Sequence, residues 1–176
     1  DIAQKFNNDF NCDGFITVPE PLIQKGFSRI MSLKDGTKKM SKSEPSEQSR
    51  INLKDDKDTI VNKIKKAKTD SLELPSNKED LKQRPEAENL LGIYGSLSGE
   101  KMDEVLPKFA GKNFSFLKGQ LSDLIIDKIC PIGNKINQLL DETDHLMSIL
   151  KKGTEKAEIR ANGKLKKIHK KIGFLD

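Results

Sequence analysis

Lys38-Lys39-Met40-Ser41-Lys42-Ser43 is the stretch of this sequence with the clearest chemical content. Lys39 and Lys42 lie three positions apart, with hydroxyl residues between and after them, so two ammonium groups and several donors can be aimed at one polyphosphate. Lysine suits that task because it is a compact point charge on a long flexible stem. Phosphoryl and nucleotidyl displacements need little covalent help, so fixed positive charge at the departing oxygens supplies much of the rate. A mobile loop closing over a nucleotide also excludes water. The same residues equally describe a solvated Lys/Ser-rich loop or a nonspecific anion contact, and spacing alone leaves those readings open.

The segment carrying these lysines, residues 34–49, is rich in Lys, Ser, Thr and Glu, holds one Pro45, and has almost nothing apolar besides Met40. It reads as a solvent-exposed loop. Upstream, Phe15 to Val18 is a short β-prone run stopped by Pro19, and Phe27 to Leu33 is another, followed by a turn signal at Asp35-Gly36. These predict two strands, with a helix over the first few residues. From Asp58 onward the spacing turns helical: Ile60, Val61, Ile64 and Ala67 form one short amphipathic helix, with Asp58 favouring its start. Residues 69–85 read as a connector. Ala87, Leu90, Leu91, Tyr94 and Leu97 define a second helix ended by Ser98-Gly99. Leu117, Leu121, Leu124, Ile125 and Ile129 trace a longer stripe that continues to Leu140, with a kink or break expected at Pro131. A basic amphipathic helix is expected from about Thr154 to the end.

At 176 residues the chain amounts to one ordinary domain, or one domain and part of another. Its 32 Lys+Arg against 27 Asp+Glu give +5, which makes anionic partners plausible. No uncharged run approaches the roughly 18 apolar residues of a membrane-spanning helix, so no membrane association is expected. Cys12 and Cys130 are far apart and lack companion ligands, so neither a disulfide framework nor a zinc site is expected and an intracellular compartment is the default. The start at Asp1 has no signal-peptide character and reads as a cut end. His145, beside Asp141, Glu142 and Asp144, reads as helix-terminal, His169 as a surface residue, and Asp55, Asp56 and Asp58 as helix-start residues. Tyr94 and Phe174 read as packing residues rather than base-stacking platforms.

Lys39-Met40-Ser41-Lys42-Ser43 matches, letter for letter, the KMSKS signature of class I aminoacyl-tRNA synthetases. Arg29-Ile30-Met31-Ser32-Leu33, Asp35, Thr37-Lys38 and Pro45 around it resemble the tryptophanyl-tRNA synthetase version of the region. So do Ile51, Leu53 and Asp55, Lys63-Ile64, Thr69-Asp70, Asn89-Leu90-Leu91, Ile93-Tyr94 and Leu97-Ser98-Gly99. Tyrosyl relatives usually carry a different tetrapeptide in the loop. The resemblance covers essentially the whole chain, is densest over residues 29–99, and points to the C-terminal half of a bacterial-type member. Two positions depart from the family: Gly36 stands where Pro is frequent, which should loosen the approach to the loop, and Glu44 where Asp is frequent.

The resemblance implies a mixed α/β and α fold. Residues 1–57 would be the C-terminal remnant of a class I Rossmann-type nucleotide-binding domain with the KMSKS loop, and residues 58–176 a mainly helical anticodon-binding domain. It implies an aminoacyl-tRNA ligase that activates L-tryptophan with ATP to tryptophanyl adenylate and charges tRNA(Trp). Lys39 and Lys42 would stabilise charge on the pyrophosphate leaving group, Lys42 foremost. Ile30 and Met40 would contact adenine through backbone groups, and Ser41 and Ser43 would offer donors to phosphate or hold the loop's shape. Mg²⁺ would arrive with ATP, since nothing in the sequence forms an all-protein metal site. Lys118, Lys128 and Lys135 are candidate tRNA contacts. A cytoplasmic homodimer is implied for the full-length relatives. The family's upstream His-containing signature is absent, since the only histidines are His145 and His169, so this stretch alone is expected to be inactive. The alternative is a free-standing helical RNA-binding module.

Overall fold

Local signals set several of the helix ends in the computed structural model, which describes residues 1–23 and 29–174. Helix α1 spans Ile2–Asp9. Helix α2, Lys57–Lys66, begins on Asp56, whose carboxylate accepts the Thr59 N–H at 2.7 Å and so satisfies one of the helix's free donors. Its buried face carries Ile60 and Ile64, with Ala67 just beyond its end. Helix α3, Lys78–Lys82, is capped by Asn77 and buries Leu81 inside the expected connector. Helix α4, Pro85–Ser98, has Pro at its first position, Glu86 and Glu88 in its first turn, and Gly99 after it at φ 79°. The Gly99 and Glu100 N–H groups both donate to the Gly95 carbonyl, at 2.9 and 3.1 Å, which closes the helix.

Three helical features differ from the sequence expectation. Helix α5, Met102–Phe109, was not foreseen, although Met102, Val105, Leu106 and Phe109 fall at helical spacing; it is short and contains Pro107. Helix α6, Phe114–Asp141, does not break at Pro131. Only Glu142 separates it from α7, Thr143–Ile172, which begins eleven residues before Thr154.

The strands also depart. Among the described residues there are two, β1 (Met31–Ser32) and β2 (Asp35–Lys39), paired antiparallel with Met31 opposite Lys39 and Ser32 opposite Asp35. The turn sits at Leu33-Lys34 rather than Asp35-Gly36, so the expected loop begins as a strand through Lys39. A polar sequence serves here because Thr37, Lys38 and Lys39 face solvent while Gly36 is buried. No strand forms at Phe15–Val18: the Asn7 side chain takes both the N–H and the carbonyl of Ile16, at 2.9 and 2.7 Å, replacing a ladder partner. Phe27 and Ser28, the start of the second expected strand, lie outside the described residues. The mixed, mostly helical character agrees with expectation.

By contacts the chain divides into two units, Asp1–Leu22 with Leu139–Asp176, and Ile23–Gln138. In the first, the Phe6 ring lies 4.7 Å from Phe10 and 5.8 Å from Phe15. The Lys164 ammonium sits 4.4 Å from the Phe15 ring centroid and donates to the Phe15 carbonyl. The second unit holds the main core: Leu33, Ile60, Ile64, Leu90, Leu91, Val105, Leu117 and Leu121 are buried together. Each such side chain stabilises the fold by about 1.5–3 kcal/mol. Leu33, at the hairpin tip, is tied on both sides, donating to the Ser49 carbonyl at 2.9 Å and accepting from Lys68 N–H at 2.8 Å. The expected boundary at residues 57/58 falls inside this unit, so the hairpin and helices α2–α5 share one core. No helix among the described residues is long and apolar enough to cross a membrane.

Candidate active-site loop

The KMSKS segment leaves the end of β2, and α4 fixes where that end lies. Asn89 on α4 is buried and acts as a surrogate strand, accepting the Met31 N–H at 2.8 Å and donating to the Met31 carbonyl at 2.9 Å. Gly36 is pressed onto the start of the same helix: a Cβ there would lie 2.6 Å from the Pro85 carbonyl carbon and 2.7 Å from the Glu86 nitrogen. The close seating is opposite to the loosening expected from glycine at this position. Glu86 reinforces the contact through an ion pair with Lys68 at 2.8 Å. Chiefly through the hydrogen bond from Lys68, its carboxyl is held below the ordinary range.

Ile30 and Met40, the two residues implied for adenine, are brought together, the Met40 N–H donating to the Ile30 carbonyl at 3.0 Å. Both are half-buried, and Met40 packs against the core. Ser41 and Ser43 bond to each other, Oγ to Oγ at 2.8 Å, and the Ser43 N–H reaches Ser41 Oγ at 3.3 Å, so the serines hold a local loop shape. A cleft of 230 Å³ beside the loop is lined by Lys34, Lys38, Lys39 and Ser41 together with Asp35 and Glu44. Asp35 stays ionised: the Thr37 hydroxyl, at 2.6 Å, is the main cause of its lowered pKa, followed by the Thr37 N–H. Lys38 lies 3.6 Å from that carboxylate and is partly neutralised by it. Among the described residues Lys39 and Lys42 have no hydrogen bond or ion pair, and both are exposed. Ile30 lines a separate cleft of 710 Å³ with Arg29 and Met31. No group of three or more His, Cys, Asp and Glu suited to a metal occurs among the described residues.

The three helix lysines lie along α6, away from the loop in sequence. The Lys118 ammonium donates to the Lys65 and Ala67 carbonyls at 3.0 and 2.7 Å, capping the end of α2, and its burial lowers its pKa. Lys128 lies 3.0 Å from Asp127, and Lys135 donates to Gln138 at 2.9 Å; both are exposed. Tyr94 packs edge-on against Phe109 at 4.9 Å, in keeping with a packing role, while Phe174 lies 5.4 Å from His169 and is largely exposed. His145 sits in the first turn of α7, as expected of a helix-terminal residue.

Sequence reasoning missed the residues that tie the loop down. Lys63 is buried on the apolar face of α2 and pairs with Asp55 at 2.6 Å, and Arg50 reaches back to the Glu44 carbonyl at 2.8 Å. A signal for the first existed: Lys63 falls three residues after Ile60 and next to Ile64, where a charge is tolerated only with a partner. Nothing in the sequence signalled Arg50.

A family profile described as tRNA synthetases class I (W and Y) matches residues 1–123, well over half the chain. The chain belongs to that family. The chain is 48% identical over 174 residues to the tryptophan–tRNA ligase of Caulobacter vibrioides, covering 99% of itself and 51% of the relative. It is 46% identical over 193 residues to that of Rhizobium meliloti, covering 99% and 54%. The chain thus spans about half the length of the curated relatives it matches. Among solved structures it resembles the Mycoplasma pneumoniae tryptophanyl-tRNA synthetase, with a TM-score of 0.83 at 27% identity, over 99% of this chain and 51% of that one. The Campylobacter jejuni tryptophanyl-tRNA synthetase complexed with ADP and tryptophane gives a TM-score of 0.62 at 28% identity, over 98% and 51%.

Proposed function

We propose that this chain is the part of an ATP-dependent tryptophan–tRNA ligase that carries the loop facing the leaving pyrophosphate and the helices that meet tRNA(Trp). The observation that carries the reading is the pair Lys39 and Lys42, exposed and without partners in a KMSKS segment whose two ends are tied to the core. In the proposed step a tryptophan carboxylate oxygen attacks the α-phosphorus of ATP. The bond from that phosphorus to the bridging oxygen breaks, and its electron pair leaves on pyrophosphate. Two ammonium ends at that oxygen and its neighbours stabilise the charge where it develops rather than in the ground state. ATP brings its own Mg²⁺, as substrate. The Met40–Ile30 bond, which brings these two residues together, supports reading them as the adenine contacts, and Ser41 and Ser43 as shaping the loop around Lys42.

In this reading residues 1–57 close the nucleotide-binding domain of Rossmann type and residues 58–176 serve the tRNA. The working enzyme is a cytoplasmic homodimer. Lys128 and Lys135, seven residues and about 10 Å apart along α6, are the exposed candidates for phosphate contact. Lys118 is assigned to holding α2. The 176 residues by themselves are expected to be inactive.

The test is tryptophan-dependent ATP–pyrophosphate exchange by the complete polypeptide encoded with this chain. Lys42→Ala is expected to slow exchange on the order of 10²–10³-fold, with the KM for tryptophan changed by less than about threefold. Equal losses in rate and tryptophan binding would remove the leaving-group role. A free-standing RNA-binding module would instead show salt-sensitive tRNA binding by the 176 residues alone, with no exchange activity in any longer form.

A further inference from the structure

The loop that holds Lys42 leaves the core at one tied point and returns at another. On the way out, the tie is the Met40 N–H to the Ile30 carbonyl at 3.0 Å. On the way back, Arg50 spreads its guanidinium over three acceptors. Nη1 donates to the Glu44 carbonyl at 2.8 Å, Nη2 pairs with the Glu47 carboxylate, and Nε donates to Asn52 Oδ1 at 3.2 Å. The Asn52 amide nitrogen donates to the other Glu47 oxygen at 2.8 Å and to Asp55 at 3.3 Å, while the Asn52 N–H reaches Asp55 at 2.8 Å. Asp55 meets Lys63 at 2.6 Å, and Gln48 donates to the Lys63 carbonyl at 2.8 Å. An unbroken series of polar contacts therefore runs from the buried face of α2 to the carbonyl directly after Ser43. Between the two ties lie only Ser41, Lys42 and Ser43.

We infer that Arg50 is a positioning residue for the ATP-activation step, fixing the return limb of the loop so that Lys42 is presented to the departing pyrophosphate. The inference rests on the leaving-group role proposed above. Arg50 carries no chemistry itself. Its side chain is only 11% exposed and each of its three nitrogens already has a protein acceptor, which favours a structural tie over a free phosphate ligand. What it supplies is order: a charged group held before the reaction needs no rearrangement during it, and small misplacements are costly in rate. The planar fork matters because three acceptors lie in fixed directions, which a single ammonium cannot serve together.

A double-mutant cycle in the complete polypeptide tests this. Arg50→Ala is expected to lower the kcat of tryptophan-dependent ATP–pyrophosphate exchange by about 10- to 100-fold, with the KM for tryptophan within about twofold. In the Lys42→Ala background the same change is expected to add less than about twofold, because Arg50 acts through Lys42. Independent, multiplying losses would overturn the inference and assign Arg50 to stability alone. If Arg50→Ala does not fold, the cycle is run with Arg50→Lys, which keeps a cation and loses the fork, and the same two outcomes decide. A Lys42→Ala variant that exchanges normally would defeat the leaving-group reading and this inference with it. A slow Lys42→Ala combined with an independent Arg50 effect would defeat the inference only.

Discussion

Replacing Lys63 with Met tests the anchor beneath the loop. Lys63 and Asp55 meet at 2.6 Å with side chains 7% and 11% exposed, so both charges are almost wholly removed from water. Lys63→Met fills similar volume and leaves the Asp55 carboxylate buried without a counter-charge. Breaking one side of a buried pair costs about 3–5 kcal/mol. The Asn52 N–H and amide still donate to Asp55, which places the cost at the lower end, about 3 kcal/mol. For a chain of this size that corresponds to a fall in Tm of about 6–12 °C. The Gln48 bond goes to the Lys63 main-chain carbonyl and survives the substitution, so it does not contribute to the loss. Combining Lys63→Met with Asp55→Asn removes the stranded charge and keeps one of the two oxygens that Asn52 donates to, so it is expected to recover part of the stability. Urea and thermal unfolding of the three variants supply the measurement. A single variant within about 1 kcal/mol of the parent, or a double variant as unstable as the single one, would refute the argument.

Further consequences can be checked separately. Gly36→Ala places a methyl 2.6 Å from the Pro85 backbone, which cannot retreat as a side chain would, and is expected to destabilise by about 1–3 kcal/mol in thermal unfolding. Asp70 is held below its ordinary range chiefly by the Arg84 hydrogen bond, and Glu86 by that of Lys68. Since folded values lie below unfolded ones, the unfolded chain binds more protons in acid. Their stabilisation is therefore complete above about pH 5 and is lost as the pH falls through the lowered values. Urea midpoints between pH 6 and 3 should fall accordingly, and Arg84→Gln should flatten the Asp70 share of that slope; an unchanged slope would contradict the assignment. Lys128→Ala with Lys135→Ala is expected to reduce the salt slope of tRNA binding by about two, read from affinities at several ionic strengths.

What could be read from the sequence were the features carried by short-range spacing. Lys39, Lys42 and the flanking residues marked the family, and Ile60, Ile64, Leu117 and Leu121 marked faces that are indeed buried. Gly99 marked a helix end. What escaped depends on contacts distant in the chain. The strand at Asp35–Lys39 exists because Asn89, fifty-eight residues after Met31, holds its partner, and no pattern of hydropathy within the strand reports that. A kink or break is expected at Pro131; the helix does not break there, and Gly133, two residues on, comes so close to Leu53 that a Cβ would lie 2.5 Å from its carbonyl oxygen. Arg50 looked like one more basic residue at the end of a polar segment. Its meaning comes from Glu44, Glu47 and Asn52 converging on it, which only the folded chain specifies.

The Asn89 amide has one more effect, on alignment. A hairpin whose strands are two and five residues long has little to stop it sliding, and a one-residue slide would turn every side chain to the opposite face. Asn89 grips the donor and acceptor of a single residue, Met31, which sits opposite Lys39. A slide of β1 along α4 would strand both ends of an interior amide, so the first strand has a fixed index mark against the helix from which the second is counted off.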